Sequence, residues 1–219
     1  MRVFCKVVLT IFCLALTTPA FAEFKTDNPQ AVHDTLVKAN EAFKAKDFAK
    51  TKKIIADLVK QEEPISMFLM GLLAVTGSGE KQDFKEAEKW WVKSAKAGFP
   101  DAQFNLGMLY YTGGLGAPDM KKAREQWTKA AAVGQPDAQF SLGLLQITGQ
   151  GGPKEAGNAI KNFTAAAERE HPQAFMALGR AYATGEGVKK DTKKAKEWFE
   201  KAQKAGVRGA AEALAELAK

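Results

Sequence analysis

The strongest constraint on what this chain can fold into is a period. Gly71, Gly107, Gly143 and Gly179 stand 36 residues apart, and the pairs Thr76-Gly77, Thr112-Gly113, Thr148-Gly149 and Thr184-Gly185 keep the same step. Ala87, Ala123, Ala159 and Ala195 repeat with them, as do the aromatics Trp91, Trp127, Phe163 and Phe199. A fixed period of this length marks an array of small supersecondary units, each too small to bury its own apolar face and therefore stacked on its neighbours. The 219 residues divide accordingly into a leader 1–22, an atypical segment 23–63, four copies at 64–98, 99–134, 135–170 and 171–206, and a final segment 207–219.

Each copy reads as two short helices joined by a glycine-rich turn. The first opens at Pro64, Pro100, Pro136 or Pro172, where the missing N–H costs nothing. It ends at Gly77, Gly113, Gly149 or Gly185, the residue type that accepts a left-handed helix cap. A mid-helix glycine such as Gly107, Gly143 or Gly179 costs about 1 kcal/mol relative to alanine, so close approach of the paired helix is expected there. The second helix starts near Asp83, Asp119 or Asp191 and buries the repeated alanine and aromatic. Copy three departs, with Glu155 in place of the capping Asp, Gly157 in the first turn and Glu170 in place of the terminal glycine. It is expected to be the softest copy.

The ends differ from the middle, as terminal repeats of an array do. Asn28-Pro29 starts a helix carrying Val32, Leu36, Ala39 and Phe43, and Asp47 restarts a second with Phe48, Ile54, Ile55, Leu58 and Val59. Residues 23–63 thus form an N-terminal capping hairpin similar to a tetratricopeptide unit. Val207 to Lys219 aligns with a first helix alone, Ala210 and Leu214 matching Ala102 and Leu106, with Arg208, Glu212, Glu216 and Lys219 facing outward as a C-terminal cap.

Residues 1–22 have the pattern of a secretory signal peptide. Arg2 and Lys6 precede the apolar run Val7 to Leu16, and Ala20-Phe21-Ala22 places small residues before a cleavage at Glu23. The apolar run is well short of the roughly 20 residues of a spanning helix, so no transmembrane segment is expected in the mature chain. Both cysteines, Cys5 and Cys13, lie in the leader, which leaves the mature chain no disulfide and no thiol chemistry. The formal net charge is +7, part of it in the leader, a mild lean toward anionic partners. Behind a secretory leader, nucleic acid is not among them.

The pattern Ala-x-x-x-Leu-Gly-x-x-Tyr, then Thr-Gly-x-Gly, then Asp-x-x-x-Ala-x-x-Trp/Phe resembles Sel1-like repeats, a subfamily of tetratricopeptide-like folds. Copy four carries it in Ala174, Leu178, Gly179, Tyr182, Thr184-Gly185-Glu186-Gly187, Asp191, Ala195, Trp198 and Phe199. The resemblance covers 64–219 and implies an all-α, right-handed α-solenoid of helix-turn-helix repeats. It further implies an adaptor or scaffold function, in a periplasmic or secreted protein of a Gram-negative bacterium linked to envelope processes, virulence or host-cell interaction. One branch, the cysteine-rich secreted Helicobacter proteins, has been described as penicillin-binding or β-lactamase-like. Its hallmark is a cysteine pair in each repeat, which this chain lacks.

Catalytic chemistry finds little to stand on. His33 and His171 are the only histidines, and no HExxH, GxSxG or Walker A pattern occurs. The loops TGSGEK, TGGLGAP, TGQGG and TGEGVKK follow helices rather than strands and read as turns. Glu86, Glu88, Glu125 and Glu197 sit among lysines as a solvated face. No catalytic residue, cofactor or metal is expected. Lysines load the N-terminal hairpin (Lys38, Lys44, Lys46, Lys50, Lys52, Lys53) and the last copy (Lys189, Lys190, Lys193, Lys194, Lys196, Lys201, Lys204).

Tetratricopeptide geometry, carried over with the resemblance, turns one face of each first helix toward a concave groove. The candidate partner-binding residues are then Phe68, Leu72 and Val75, Phe104, Met108 and Tyr111, Phe140, Leu144 and Ile147, and Met176 and Arg180. Arg180 stands where the other copies have Leu72, Met108 and Leu144. The expectation is a non-catalytic monomer that binds another protein or a peptide segment along this groove. Two alternatives stay open: a β-lactam-interacting or cell-wall-active protein, and a host-facing or envelope-surface modulator that binds an anionic glycan or lipid through its lysine-rich ends.

Overall fold

The computed structural model describes Thr26, residues 28–77 and residues 81–218. The leader 1–22 lies outside the described residues. Those residues fold into eleven helices with no strand: α1 Pro29–Lys44, α2 Phe48–Lys60, α3 Pro64–Thr76, α4 Phe84–Lys96, α5 Pro100–Thr112, α6 Met120–Ala132, α7 Pro136–Thr148, α8 Ala156–Glu168, α9 Pro172–Thr184, α10 Thr192–Lys204 and α11 Ala210–Leu217. The fold is all-α, built of consecutive helix-turn-helix repeats. Two compact units divide it, one ending at Pro118 and one from Asp119 to Lys219. The division therefore falls in the turn of copy two.

Unit 1 holds α1 to α5, each packed on its chain neighbour. Asn28 accepts from the Ala31 N–H at 3.0 Å, and Asp47 accepts from the Lys50 N–H at 3.1 Å, so both expected starts of the N-terminal hairpin are capped by side chains. The core gathers Leu36, Ile55, Leu69, Trp91 and Phe99. α3 is buried almost all round, because helices pack on more than one of its sides. Trp91 lies against Phe68 (centroids 6.4 Å apart) and donates its indole N–H to the Phe68 carbonyl at 3.2 Å. Ser94 of the same helix donates to the Pro64 carbonyl at 2.7 Å.

Unit 2 holds α6 to α11, again packed in chain order, over a core that includes Phe163, Phe175, Leu178 and Phe199. The mid-helix glycines have their reason here. A Cβ on Gly143 would stand 2.5 Å from Cε1 of Phe163, and one on Gly179 would collide with the Phe199 ring. Gly71 meets the Trp91 ring in the same way in unit 1. The repeated glycine and the aromatic 20 residues later are thus two halves of one contact: the ring lies flat on bare backbone.

The second helices in copies one, two and four are capped by Asp83, Asp119 and Asp191, which accept from the N–H three residues on at 2.9, 2.9 and 3.0 Å. Glu155 makes no such bond. Its carboxylate is instead paired with Arg124, and it also accepts from the Gln146 amide at 3.2 Å. Arg124 donates in addition to the Pro153 carbonyl at 2.9 Å, and Asn162 donates to Gln146 Oε1 at 2.7 Å. The expectation of a soft copy three needs amending: a lost cap is offset by a side-chain network that ties its turn to α6 and to α7.

Two positions follow the repeat but not its residue type. The turn that ends each second helix is left-handed at Gly98, Gly134 and Gly206, and also at Glu62 and Glu170, with φ of 57° and 58°. A left-handed conformation costs a residue with a side chain roughly 1–2 kcal/mol, partly offset by the extra unfolded-state freedom of glycine, about 0.4–1 kcal/mol. Glu170→Gly is therefore expected to stabilise the protein slightly, raising the melting temperature by about 1–2 °C. Thermal unfolding followed by circular dichroism checks this.

Glu63 is buried at the start of α3, where its carboxylate accepts from the N–H groups of Ile65 and Ser66. Burial pushes this carboxyl above its usual range, and the two backbone donors and the Ser66 side chain only partly oppose it. A raised folded value means the stabilising contribution is complete below the unfolded value and is lost as pH rises through the folded one. The same repeat position in copy three is Gln135, whose Oε1 caps the Ala138 N–H. Glu63→Gln should keep the cap and remove the loss. Its melting temperature relative to the parent is expected to rise as pH goes from 4 to 7, and a constant difference would contradict the assignment.

Candidate protein-binding cleft

The candidate residues separate into two groups by burial. Phe68, Leu72 and Val75 lie in the core of unit 1, and Phe104 is buried as well. These four leave little surface for a partner to meet. Phe68 packs against Trp91 and against Phe99, at 6.4 and 5.1 Å. Met108 is half-buried and Tyr111 is 40% exposed.

In unit 2 the outcome differs. Phe140, Leu144, Ile147, Met176 and Arg180 line one cleft of about 460 Å³. α7 presents Phe140, Leu144 and Ile147 on one side because residues at three- and four-residue spacing share a helix face. α9 presents Met176 and Arg180 by the same spacing. Met176 is mostly buried and forms floor, with the ring of Phe163 beneath, while Leu144 is 42% exposed at the rim. The lining is mainly apolar, with a few charged groups around its edge.

One wall is held by the turn before α9. The His171 ring stacks on Phe140 with centroids 4.7 Å apart, and its Nε2 lies 3.4 Å from the Asp137 carboxylate. Burial works to raise the Asp137 carboxyl, but the His171 contact, the Gln135 amide and its own backbone N–H outweigh it and hold it below the usual carboxylate range. His171 is therefore a positioning group for Phe140. Asp137 is partly solvated, so this contact orients more than it stabilises.

Around the rim are Arg180, Arg208 and Glu186. Glu186 is paired with Lys154 at 2.7 Å. Arg180 and Arg208 are exposed, and among the described residues neither guanidinium has an ion-pair partner. By repeat position alone, Arg208 belongs to the C-terminal cap and Phe163 to the repeat framework. The signal for Arg208 was present: Val207 and Arg208 align with His171 and Pro172, so the turn before α11 falls beside the cleft as the turn before α9 does. Among the described residues no cluster of three or more His, Cys, Asp or Glu is arranged to hold a metal, and no helix is long and apolar enough to cross a membrane.

The geometry is that of a repeat array, and the Sel1 repeat model matches residues 64–99, 100–134, 136–171 and 172–207. The chain belongs to the Sel1 repeat family. A Sel1 repeat protein from Oxalobacter formigenes, known from a crystal structure, is similar over 82% of this Sel1 repeat chain and 74% of its own, at 30% identity and a TM-score of 0.77. A protective antigen present in uropathogenic Escherichia coli strains matches over 70% of this chain at 28% identity and a TM-score of 0.68. This chain spans only 33% of that antigen's length. A chain from Klebsiella pneumoniae, at 19% identity over 91% of this chain and 99% of its own, shares the fold with a TM-score of 0.54. Among curated protein sequences none matches.

Proposed function

We propose that this Sel1 repeat protein is a non-catalytic interaction scaffold, exported to the periplasm or beyond, that binds a segment of another protein on the exposed faces of its first helices. The observation that carries this reading is the cleft of unit 2, an apolar lining left open to solvent beside exposed Leu144. Large apolar side chains left in water at such a rim favour a covering partner. Tyr111, the copy-two equivalent of Ile147, is the other apolar groove candidate left exposed. The leader pattern of residues 1–22 supports export, and the bacterial antigen among the similar structures is consistent with a place at the cell envelope.

The test is site-specific photo-crosslinking in cells that produce the full chain. A benzoylphenylalanine at position 144 is expected to capture a discrete protein band, and one at position 161, on the exposed face of α8, is not. Equal capture at both positions, or none at 144, would count against the cleft. Fluorescent penicillin is expected to leave the purified protein unlabelled, and saturable covalent labelling would replace this reading with the cell-wall-active one.

A further inference from the structure

The cleft does not end at Arg180. A second depression of about 590 Å³ adjoins it in the same unit, sharing Arg180 and Thr184 and lined beyond them by Ala183, Phe199, Ala213 and Leu217. Two apolar depressions thus flank one guanidinium. The charges are ordered along this path. Arg180 and Arg208 border the first depression, with Glu186 neutralised by Lys154, whereas exposed Glu212 and Glu216 border the second.

Such an arrangement selects its occupant. A carboxylate is favoured at the two unpaired guanidiniums, whose planar donor forks suit it, and disfavoured beside Glu212 and Glu216. A path that continues past Arg180 suits a passing segment better than a chain terminus. We propose that unit 2 binds an extended segment of another protein in which an acidic residue lies between two large apolar residues, the three on alternate positions so that all face the protein. The apolar side chains fill the two depressions and the carboxylate meets Arg180 and Arg208. This rests on the scaffold reading above and adds the chemistry of the partner segment.

Copy four supplies what the other copies do not. The positions equivalent to Arg180 hold Leu72, Met108 and Leu144, so Arg180→Leu restores the residue type of the other repeats and is compatible with the fold. The experiment is selection of a random twelve-residue phage-displayed library on the immobilised full chain, followed by fluorescence polarisation of the labelled winning peptide. The expected winners carry an acidic residue between apolar ones, and Arg180→Leu with Arg208→Ala weakens them at least tenfold. Replacing their acidic residue by the amide is expected to do the same to the parent protein and nothing further to the double variant.

Winners that lose binding on Leu144→Asp but show no acidic preference would overturn this inference and leave the scaffold reading standing. Failure to enrich any peptide would count against both. Self-association of the chain that the double variant abolishes would assign the path to a second copy and overturn the inference.

Discussion

Gly143→Leu is expected to lower the stability of unit 2 by about 3 kcal/mol or more, at the upper end of what overpacking costs. The argument starts from the ring of Phe163, which occupies the space a Cβ would need. Phe163 is buried at 1% exposure and cannot swing to solvent without opening the core. Even Gly143→Ala, which gains about 1 kcal/mol of helix propensity, should be a net loss. The contact is diagnosed by a double-mutant cycle with Phe163→Ala. That change alone costs about 3–5 kcal/mol, but it vacates the space the leucine needs. A coupling of about 1 kcal/mol or more in the compensating direction is expected from chemical denaturation. Additive losses would mean that glycine and ring do not share the contact.

The second large effect is expected at Arg124. Its side chain is 13% exposed and that of Glu155 35%. Arg124→Ala removes the ion pair and the donor to the Pro153 carbonyl, and leaves Glu155 with one partner fewer. Breaking a fully buried pair costs about 3–5 kcal/mol; with one partner a third exposed, solvent reduces this to about 2 kcal/mol. Lys60→Ala, which removes an ion pair with both side chains largely exposed, should change stability by less than about 0.5 kcal/mol. Hydrogen exchange separates the two further. Loss of Arg124 should speed exchange in the turn 149–155 and the first turn of α8, which has no side-chain cap of its own.

The repeat framework was legible in the sequence because the constraint it obeys is local and periodic. A ring flat on glycine backbone, as in copies one, three and four, needs the same two residues at the same spacing, and a left-handed helix end needs its glycine. The Arg124 network was not legible. It replaces one capping bond with contacts made across 9 to 31 residues, by residue types that read as ordinary surface groups.

The cleft was legible by halves. Spacing alone put Phe68 and Phe140 in equivalent places, and they are equivalent on their helices. Both lie between rings at equivalent positions, Phe68 between Trp91 and Phe99 and Phe140 between Phe163 and His171, yet Phe68 is buried whereas Phe140 is half-buried and lines open space. Burial depends on the residues of neighbouring copies, which a period does not report. Arg208 was hidden for a related reason, since its role comes from where the turn before α11 falls and not from any motif it belongs to.

The central claim is that a partner segment occupies the cleft of unit 2. Methyl-resolved NMR of the protein, titrated with the segment recovered by crosslinking from position 144, tests it most directly. The account predicts shift changes at the methyl groups of Leu144, Ile147 and Met176, with Ile54 and Leu58 in the N-terminal hairpin unmoved. Changes confined to the lysine-loaded hairpin or to the outer face of α10, with the cleft methyls silent, would contradict it.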